Sequence, residues 1–262
     1  MRFARVAIAA TLLAVATPAV AQGLCADRPG KATPACVVDP GAFQIETSLA
    51  DWSRSDDGPT RDDDLLFGDT LLRWGVADNL ELRGSLTAYE HDRTRAPGGV
   101  NIAKGFGDIG LSAKWRAIDG GDAGVSVALL PSVTLPVGDA AVSDGTWSAD
   151  VTVPIDIPVS DKISFNLAPT LSAAADGDGD GRHFAYSGAA AVNYQLSDAV
   201  SIGGELWAER DQDPAGHETQ ASADLLLAWQ PAKDWQLDLS GYAGLTQATP
   251  DVELIAGVTR RF

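Results

Sequence analysis

The sequence predicts an all-β protein, a 12-stranded antiparallel transmembrane β-barrel of the outer-membrane type. Twelve short stretches alternate apolar and polar residues with a period of two, which gives each an oily and a wet face when extended. The connections between them are alternately tight and longer. Although 45% of the chain is hydrophobic, nothing beyond residue 21 approaches the roughly 18 uninterrupted apolar residues of a spanning helix.

The last twelve residues carry the pattern most plainly. Val252, Leu254, Ala256, Val258 and Phe262 share one parity, while Asp251, Glu253, Gly257, Thr259 and Arg261 share the other. A tilted strand of about ten residues crosses a bilayer. Ending on the aromatic Phe262, this strand is the expected contact with the barrel-assembly machinery of a Gram-negative cell.

At the other end, residues 1–21 read as a signal peptide: Arg2 and Arg5, an apolar run from Val6 to Val15, then Ala19-Val20-Ala21 as a small-x-small cleavage site. Without them, 17 basic residues face 36 acidic ones, a formal charge of −19. That balance disfavours nucleic acid and anionic surfaces as partners. Residues 22–41 are expected to form an N-terminal periplasmic arm and residues 42–262 the barrel. The two cysteines of the chain, Cys25 and Cys36, both lie in the arm and read as one disulfide in an oxidising compartment. Gln22-Gly23-Leu24-Cys25 lacks the box of a lipoprotein.

The remaining segments follow in order. Residues 43–52 point Phe43, Ile45 and Leu49 outward and Gln44, Glu46 and Ser48 inward. Residues 64–76 set Leu66, Leu72, Trp74 and Val76 against Asp69 and Arg73, and residues 80–90 set Leu80, Leu82 and Leu86 against Glu81, Arg83 and Ser85. In residues 108–116, Ile109, Leu111, Ala113 and Trp115 oppose Asp108, Ser112, Lys114 and Arg116. Six more run through residues 125–135, 147–157, 163–172, 184–195, 200–209 and 218–229, and an eleventh through 235–245. In the ninth of the twelve, Trp207 breaks the pattern.

Tight connections such as Ala77-Asp78-Asn79, Ser160-Asp161-Lys162 and Ser197-Asp198 are rich in turn residues. An even strand number, with short turns at one rim and longer loops at the other, is the outer-membrane pattern and puts the short turns and both termini in the periplasm. Trp74, Trp115, Trp229 and Trp235 have outward parity near the short turns, where an interfacial girdle belongs. A soluble β-sandwich would bury the same parity. Strand length, loop asymmetry and the terminal Phe262 argue against it.

The phrases LLRWGVADNLELR (71–83), GFGDIGLSAKWR (105–116), PSVTLPVGD (131–139), YQLSDAVSIGGEL (194–206) and the ending 256–262 resemble a transporter-like outer-membrane family labelled "putative MetA-pathway of phenol degradation". The likeness covers nearly all of the chain after residue 21, in order. It departs at Arg260, where the family usually has an aromatic residue. It implies an outer-membrane transporter or channel.

Twelve strands lie between the eight whose side chains fill the interior and the sixteen that leave an aqueous channel. The fifth, seventh and eighth segments turn mainly Ser, Ala, Thr and Asn inward, so one wall is expected to stay unfilled and a narrow water-filled pore to result. The expected pore-lining residues are Asp69, Arg73, Glu81, Arg83, Asp108, Lys114 and Arg116 on a wall rich in bases. Asp150, Asp156, Glu205, Glu218, Asp224, Asp238 and Glu253 form an acidic wall opposite. Face parity about the 77–79 turn sets Arg73 opposite Arg83, near a constriction in the periplasmic third.

Asp176, Asp178 and Asp180 begin a calcium-loop pattern, but Ser187 stands where a bidentate Glu belongs, so a flexible acidic outer loop is the expectation. His91, His183 and His217 map to the outer rim. No cofactor is expected, and no histidine has the placing that a phospholipase dyad would need. The expected partners are outer-membrane lipid, lipopolysaccharide and a small hydrophilic or amphipathic solute, aromatic ones included, taken up passively. The competing classes are a structural or adhesive barrel without conductance, and an outer-membrane enzyme.

Overall fold

The computed structural model describes residues 24–121, 124–178 and 181–262; the expected signal peptide lies outside them. Every described element is a strand: β1 (Phe43–Asp56), β2 (Arg61–Ala77), β3 (Leu80–Ala96), β4 (Gly99–Gly105), β5 (Ile109–Ile118), β6 (Ser126–Leu135), β7 (Ser148–Thr152), β8 (Ile155–Ser160), β9 (Ile163–Ala175), β10 (Arg182–Ser197), β11 (Val200–Asp211), β12 (Glu218–Ala232), β13 (Trp235–Gly244) and β14 (Val252–Arg261).

These strands make a closed 12-stranded antiparallel barrel. β7 and β8 are two halves of one wall strand interrupted at Pro154, and both halves pair with β6 and β9. The interruption follows from proline, which has no N–H to give to a ladder. β4 pairs only with the far end of β3, from Glu90 to Ala96, and so extends an outer hairpin without adding to the wall. β14 pairs with β1, and β9 with β10, which closes the ring. A closed ring leaves no edge N–H or C=O in hydrocarbon, where each would cost several kcal/mol.

The two faces separate as the alternation requires. Leu206, Leu225, Leu239 and Phe262 are exposed on the outside, whereas Gln44, Glu46, Arg73, Glu81 and Lys114 are buried within. The count breaks in β1 and again in β2, where Leu65 and Phe67 are exposed on one side of Gly68 and Leu72 and Trp74 on the other, so that Leu66, expected outward, pairs with Asp51 and faces in. The register of β1 against β14 shifts between Ser48 and Ala50: Ala50 pairs with the outward Ala256 and Asp51 with Ile255, so Asp51 takes the inward face that alternation gave to Ala50. A bulge of this kind turns the parity over for the rest of a strand.

The outer hairpin ending in β4 is the one described strand that sequence alternation did not show, since residues 91–105 read as a long loop. Pro97-Gly98-Gly99 was its signal, a turn flanked by residues able to pair, and Gly99 adopts a φ of 138° there.

Candidate functional site: an arm between two charged walls

Residues 24–41 do not extend away from the barrel. They enter the lumen from the short-turn rim, rise to a tip at Pro29–Lys31, and descend to the start of β1. The Cys25–Cys36 disulfide ties the two limbs together across 11 positions, with Cα atoms 6.0 Å apart. At the base, Gly41 N–H donates to Gly75 O at 2.8 Å, and a side chain at Gly75 would strike the Val38 and Asp39 carbonyls. Glycine is needed there because one backbone runs against another.

Asp27 is the arm's contact with the basic wall. Its carboxylate lies 3.0 Å from Arg73 Nη1 and 2.8 Å from Lys114 Nζ, and it also takes a short contact from Arg83. Arg73 donates from Nε and Nη2 to both oxygens of Glu81, 2.9 Å each, and from Nη1 to Glu46 at 2.7 Å and to the Cys25 carbonyl at 2.6 Å. Lys114 further donates to the carbonyls of Pro34 and Cys36 at 3.0 and 3.3 Å. Three buried cations, Arg73, Arg83 and Lys114, thus meet three carboxylates, Asp27, Glu46 and Glu81, one of them carried by the arm. Burial raises the proton affinity of Asp27, but the charges of Arg73, Arg83 and Lys114 outweigh it and hold the carboxyl well below the usual carboxylate range.

The acidic wall holds the tip by the opposite chemistry. Glu205 accepts the backbone N–H groups of Lys31 and Ala32 at 2.8 and 2.7 Å, and Asp238 accepts Arg28 Nε at 3.1 Å. Asp156 accepts the Ala35 N–H at 2.9 Å, and Tyr242 donates its hydroxyl to the Pro29 carbonyl at 2.7 Å. Lys31 Nζ lies 3.7 Å from Glu253 and over the rings of Trp207 and Tyr242, at 4.5 and 4.6 Å from their centroids. Between these walls, Ala32 packs on Ala168, Ala189 and Ala191, with Trp207 against the cluster. The wall of small inward side chains is where the arm fits.

The structure therefore brings Arg73, Glu81, Arg83, Lys114, Asp156, Glu205, Asp238 and Glu253 together, through the arm rather than around open water. Asp224 lies beside them, opposite Glu205 in the ladder. The other expected lining residues lie apart. Asp108 accepts Gly138 N–H at 2.8 Å and Ser143 Oγ at 3.0 Å and so pins the 136–147 loop. Arg116 sits at the short-turn rim on Asp119 and the Asp78 carbonyl. Asp69 meets Thr87 inside β2–β3, and Glu218 is exposed at the outer rim.

Above the arm lies an open outer cavity of about 480 Å³, lined among others by Asp144, Asp150, Asp176, Glu209 and Asp211. His183 bridges two neighbouring loops at its edge, with Nδ1 2.9 Å from Asp176 and Nε2 2.7 Å from Asp211. Of the calcium-like loop, Asp176 is thus engaged by His183, and Asp180 lies outside the described residues.

A family model described as "Putative MetA-pathway of phenol degradation" matches residues 26–262, the arm beyond Cys25 together with the whole barrel. The chain belongs to this family. Among solved structures, the COG4313 outer membrane channel from Pseudomonas putida F1 superposes with a TM-score of 0.69 at 16% identity, covering 90% of this chain and 99% of that one. The NanC porin superposes with a TM-score of 0.53 at 10% identity, covering 83% and 98%. The translocator domain of the autotransporter NalP from Neisseria meningitidis gives 0.51 at 16% identity, covering 85% and 88%. No curated protein matches in sequence. At these identities the likeness is one of fold, and it agrees with the family: the chain is an outer-membrane β-barrel.

Sequence reading missed Asp27, Arg28 and Lys31 on the arm, and Trp207 on the wall, as site residues. The arm has no strand period to reveal which way its charges point. Trp207 did leave a trace, as the one aromatic on the inward parity of its segment.

Proposed function

We propose that this protein is an outer-membrane channel for passive uptake of small hydrophilic or amphipathic solutes, aromatic ones included, with residues 24–41 as an internal plug. The observation that carries the reading is how the lumen is filled. The wall strands β9 and β10 present Ala168, Ala189 and Ala191 inward, and the space above these small side chains is taken by a separate loop. A barrel whose own side chains closed it would need no insert; one that needs an insert has a bore when the insert shifts. The polar lining and the acid-lined outer cavity suit a water-borne solute.

Family membership supports a role in solute passage without naming the solute. The dense anchoring of the arm favours one second reading, a barrel that stays closed and serves a structural purpose. Single-channel recording of the refolded chain, with and without residues 24–38, decides between them. The channel reading expects brief openings in the intact protein and a steady, larger conductance in the deleted one. Silence from both, with folding verified by heat-dependent gel mobility, would leave the structural reading.

A further inference from the structure

The ammonium of Lys31 is the most unusual feature of the arm. Two aromatic rings, Trp207 and Tyr242, lie within 4.6 Å of the same nitrogen, and Glu253 is 3.7 Å away. Rings packed on a cation at this distance attract it by their quadrupole, and aromatic cages of this kind recognise alkylated ammonium groups. The carboxylates around the cage outnumber the cation. Glu205 is occupied by the backbone N–H groups of Lys31 and Ala32, while Glu253 faces the ammonium. Asp224, only 3% exposed, has no well-formed hydrogen bond at either carboxylate oxygen. A buried carboxylate so left costs free energy unless a cation is near.

The cage also opens toward the outside. Glu209 and Asp211 follow Trp207 at every second residue of β11, hence on the same inward face, and both line the outer cavity. A cation drawn into that acidic cavity meets the cage next along the same strand.

We propose that Trp207, Tyr242, Glu253 and Asp224 form a binding site for a small alkylammonium solute, and that Lys31 is its built-in competitor, a tethered ammonium holding the plug tip in the solute's place. A bare metal ion fits less well, because ring faces offer it no oxygen ligands and only some of the carboxylates converge. A solute that displaced Lys31 would release one of the tip's side-chain anchors, beside Arg28 on Asp238 and the Tyr242 hydroxyl on Pro29, so occupancy and unplugging are linked. The inference rests on the channel reading for the solute's route, but not for the binding itself.

The test uses the refolded chain in detergent and n-butylammonium as probe, read by saturation-transfer NMR of its methyl group. Lys31→Ala vacates the cage, so the probe should bind it saturably and about tenfold tighter than it binds the wild type, the worth of one desolvated cation–π contact. Adding Trp207→Leu, or separately Glu253→Gln, to Lys31→Ala should remove that gain, and n-butanol should not compete. Equal affinity with and without Lys31, indifference to both second substitutions, or equal binding of n-butanol would overturn the proposal. Each variant is first checked for heat-dependent gel mobility, and having two second-site variants keeps the test decisive if one fails to fold. Binding without conductance in planar bilayers would sink the channel reading and leave the cage standing.

Discussion

Arg73 stands directly opposite Arg83 in the β2–β3 ladder, and the Asp27 carboxylate, which belongs to neither strand, contacts both. Two like charges facing each other across a ladder are unfavourable unless counter-charge intervenes. Glu81 and Glu46, on the barrel wall, supply part of it at 2.9 and 2.7 Å from Arg73. The remainder comes from the arm. The barrel wall is thus built with an electrostatic vacancy that the plug completes, so arm docking and wall stability are one problem.

Asp27→Asn keeps the side chain's size and removes its charge, leaving Arg73, Arg83 and Lys114 with only Glu46 and Glu81. Breaking one partner out of a buried ionic group costs about 3–5 kcal/mol. Part of that cost is avoidable if the arm leaves and water enters. The expected outcome is a raised open probability in bilayer recordings together with faster protease cleavage within residues 24–41. A variant with wild-type gating would show that Asp27 does not hold the plug.

Acidity should not do what this substitution does. The Asp27 pKa is depressed in the folded state, because Arg73, Arg83 and Lys114 outweigh its burial. Its contribution to docking is therefore complete above the ordinary carboxylate pKa of about 3.9 and is lost only as pH falls through the lower, folded value. Gating that depends on Asp27 is expected to be flat from about pH 7 to about 4.5 in wild type. If acidification within that window mimicked Asp27→Asn, Asp27 would not be held in its charged form.

The strands were legible in the sequence because the period of two is imposed everywhere by two solvents, hydrocarbon outside and water inside, and because Asp, Asn, Gly and Pro mark the turns. Parity even paired Arg73 with Arg83. It failed where the strand itself departs from the period, at the β1 bulge that turns Asp51 over, near Gly68 of β2 where Leu66 turns inward, and in the extra outer strand β4. It could not reach the arm, whose charges are placed by tertiary contact alone. Nothing in Asp27-Arg28-Pro29-Gly30-Lys31 says that Asp27 meets a basic wall and Lys31 an aromatic pair. Arg73, Arg83 and Lys114 therefore read as facing open water, whereas all three contact Asp27 of the arm.

The disulfide is expected to act on the plug and not on the barrel. Cys25 and Cys36 close a short loop that bears Asp27, Arg28 and Lys31, and no strand lies within it. Opening such a loop returns roughly 2–3 kcal/mol of chain entropy to the undocked arm. The Cys25→Ser/Cys36→Ser double variant, or wild type under dithiothreitol, should open more often. Its urea midpoint for barrel unfolding in lipid vesicles should stay unchanged, since the ladders from β1 to β14 are untouched. A lowered barrel midpoint with unaltered gating would reverse this assignment.

Gly75 offers a way to move the arm without altering any charge. It lies on β2 opposite Glu81 of β3, its N–H donates to the Ala42 carbonyl at 3.1 Å, and its missing side chain makes room for the Val38 and Asp39 backbone. A Cβ there would fall on those carbonyl oxygens, and because they belong to backbone they cannot rotate away. Valine suits a strand by propensity, so Gly75→Val should leave the β2–β3 ladder folded and spend its strain on the base of the arm. The resulting tilt would draw Asp39 from its 3.2 Å contact with Arg261 and weaken the Val38 N–H bond to Glu81. The variant is expected to conduct more than wild type while keeping its heat-dependent gel mobility, and deleting residues 24–38 from it should add nothing further. If the deletion raised conductance as much in Gly75→Val as in wild type, the arm's seat at the short-turn rim would not be what closes the lumen.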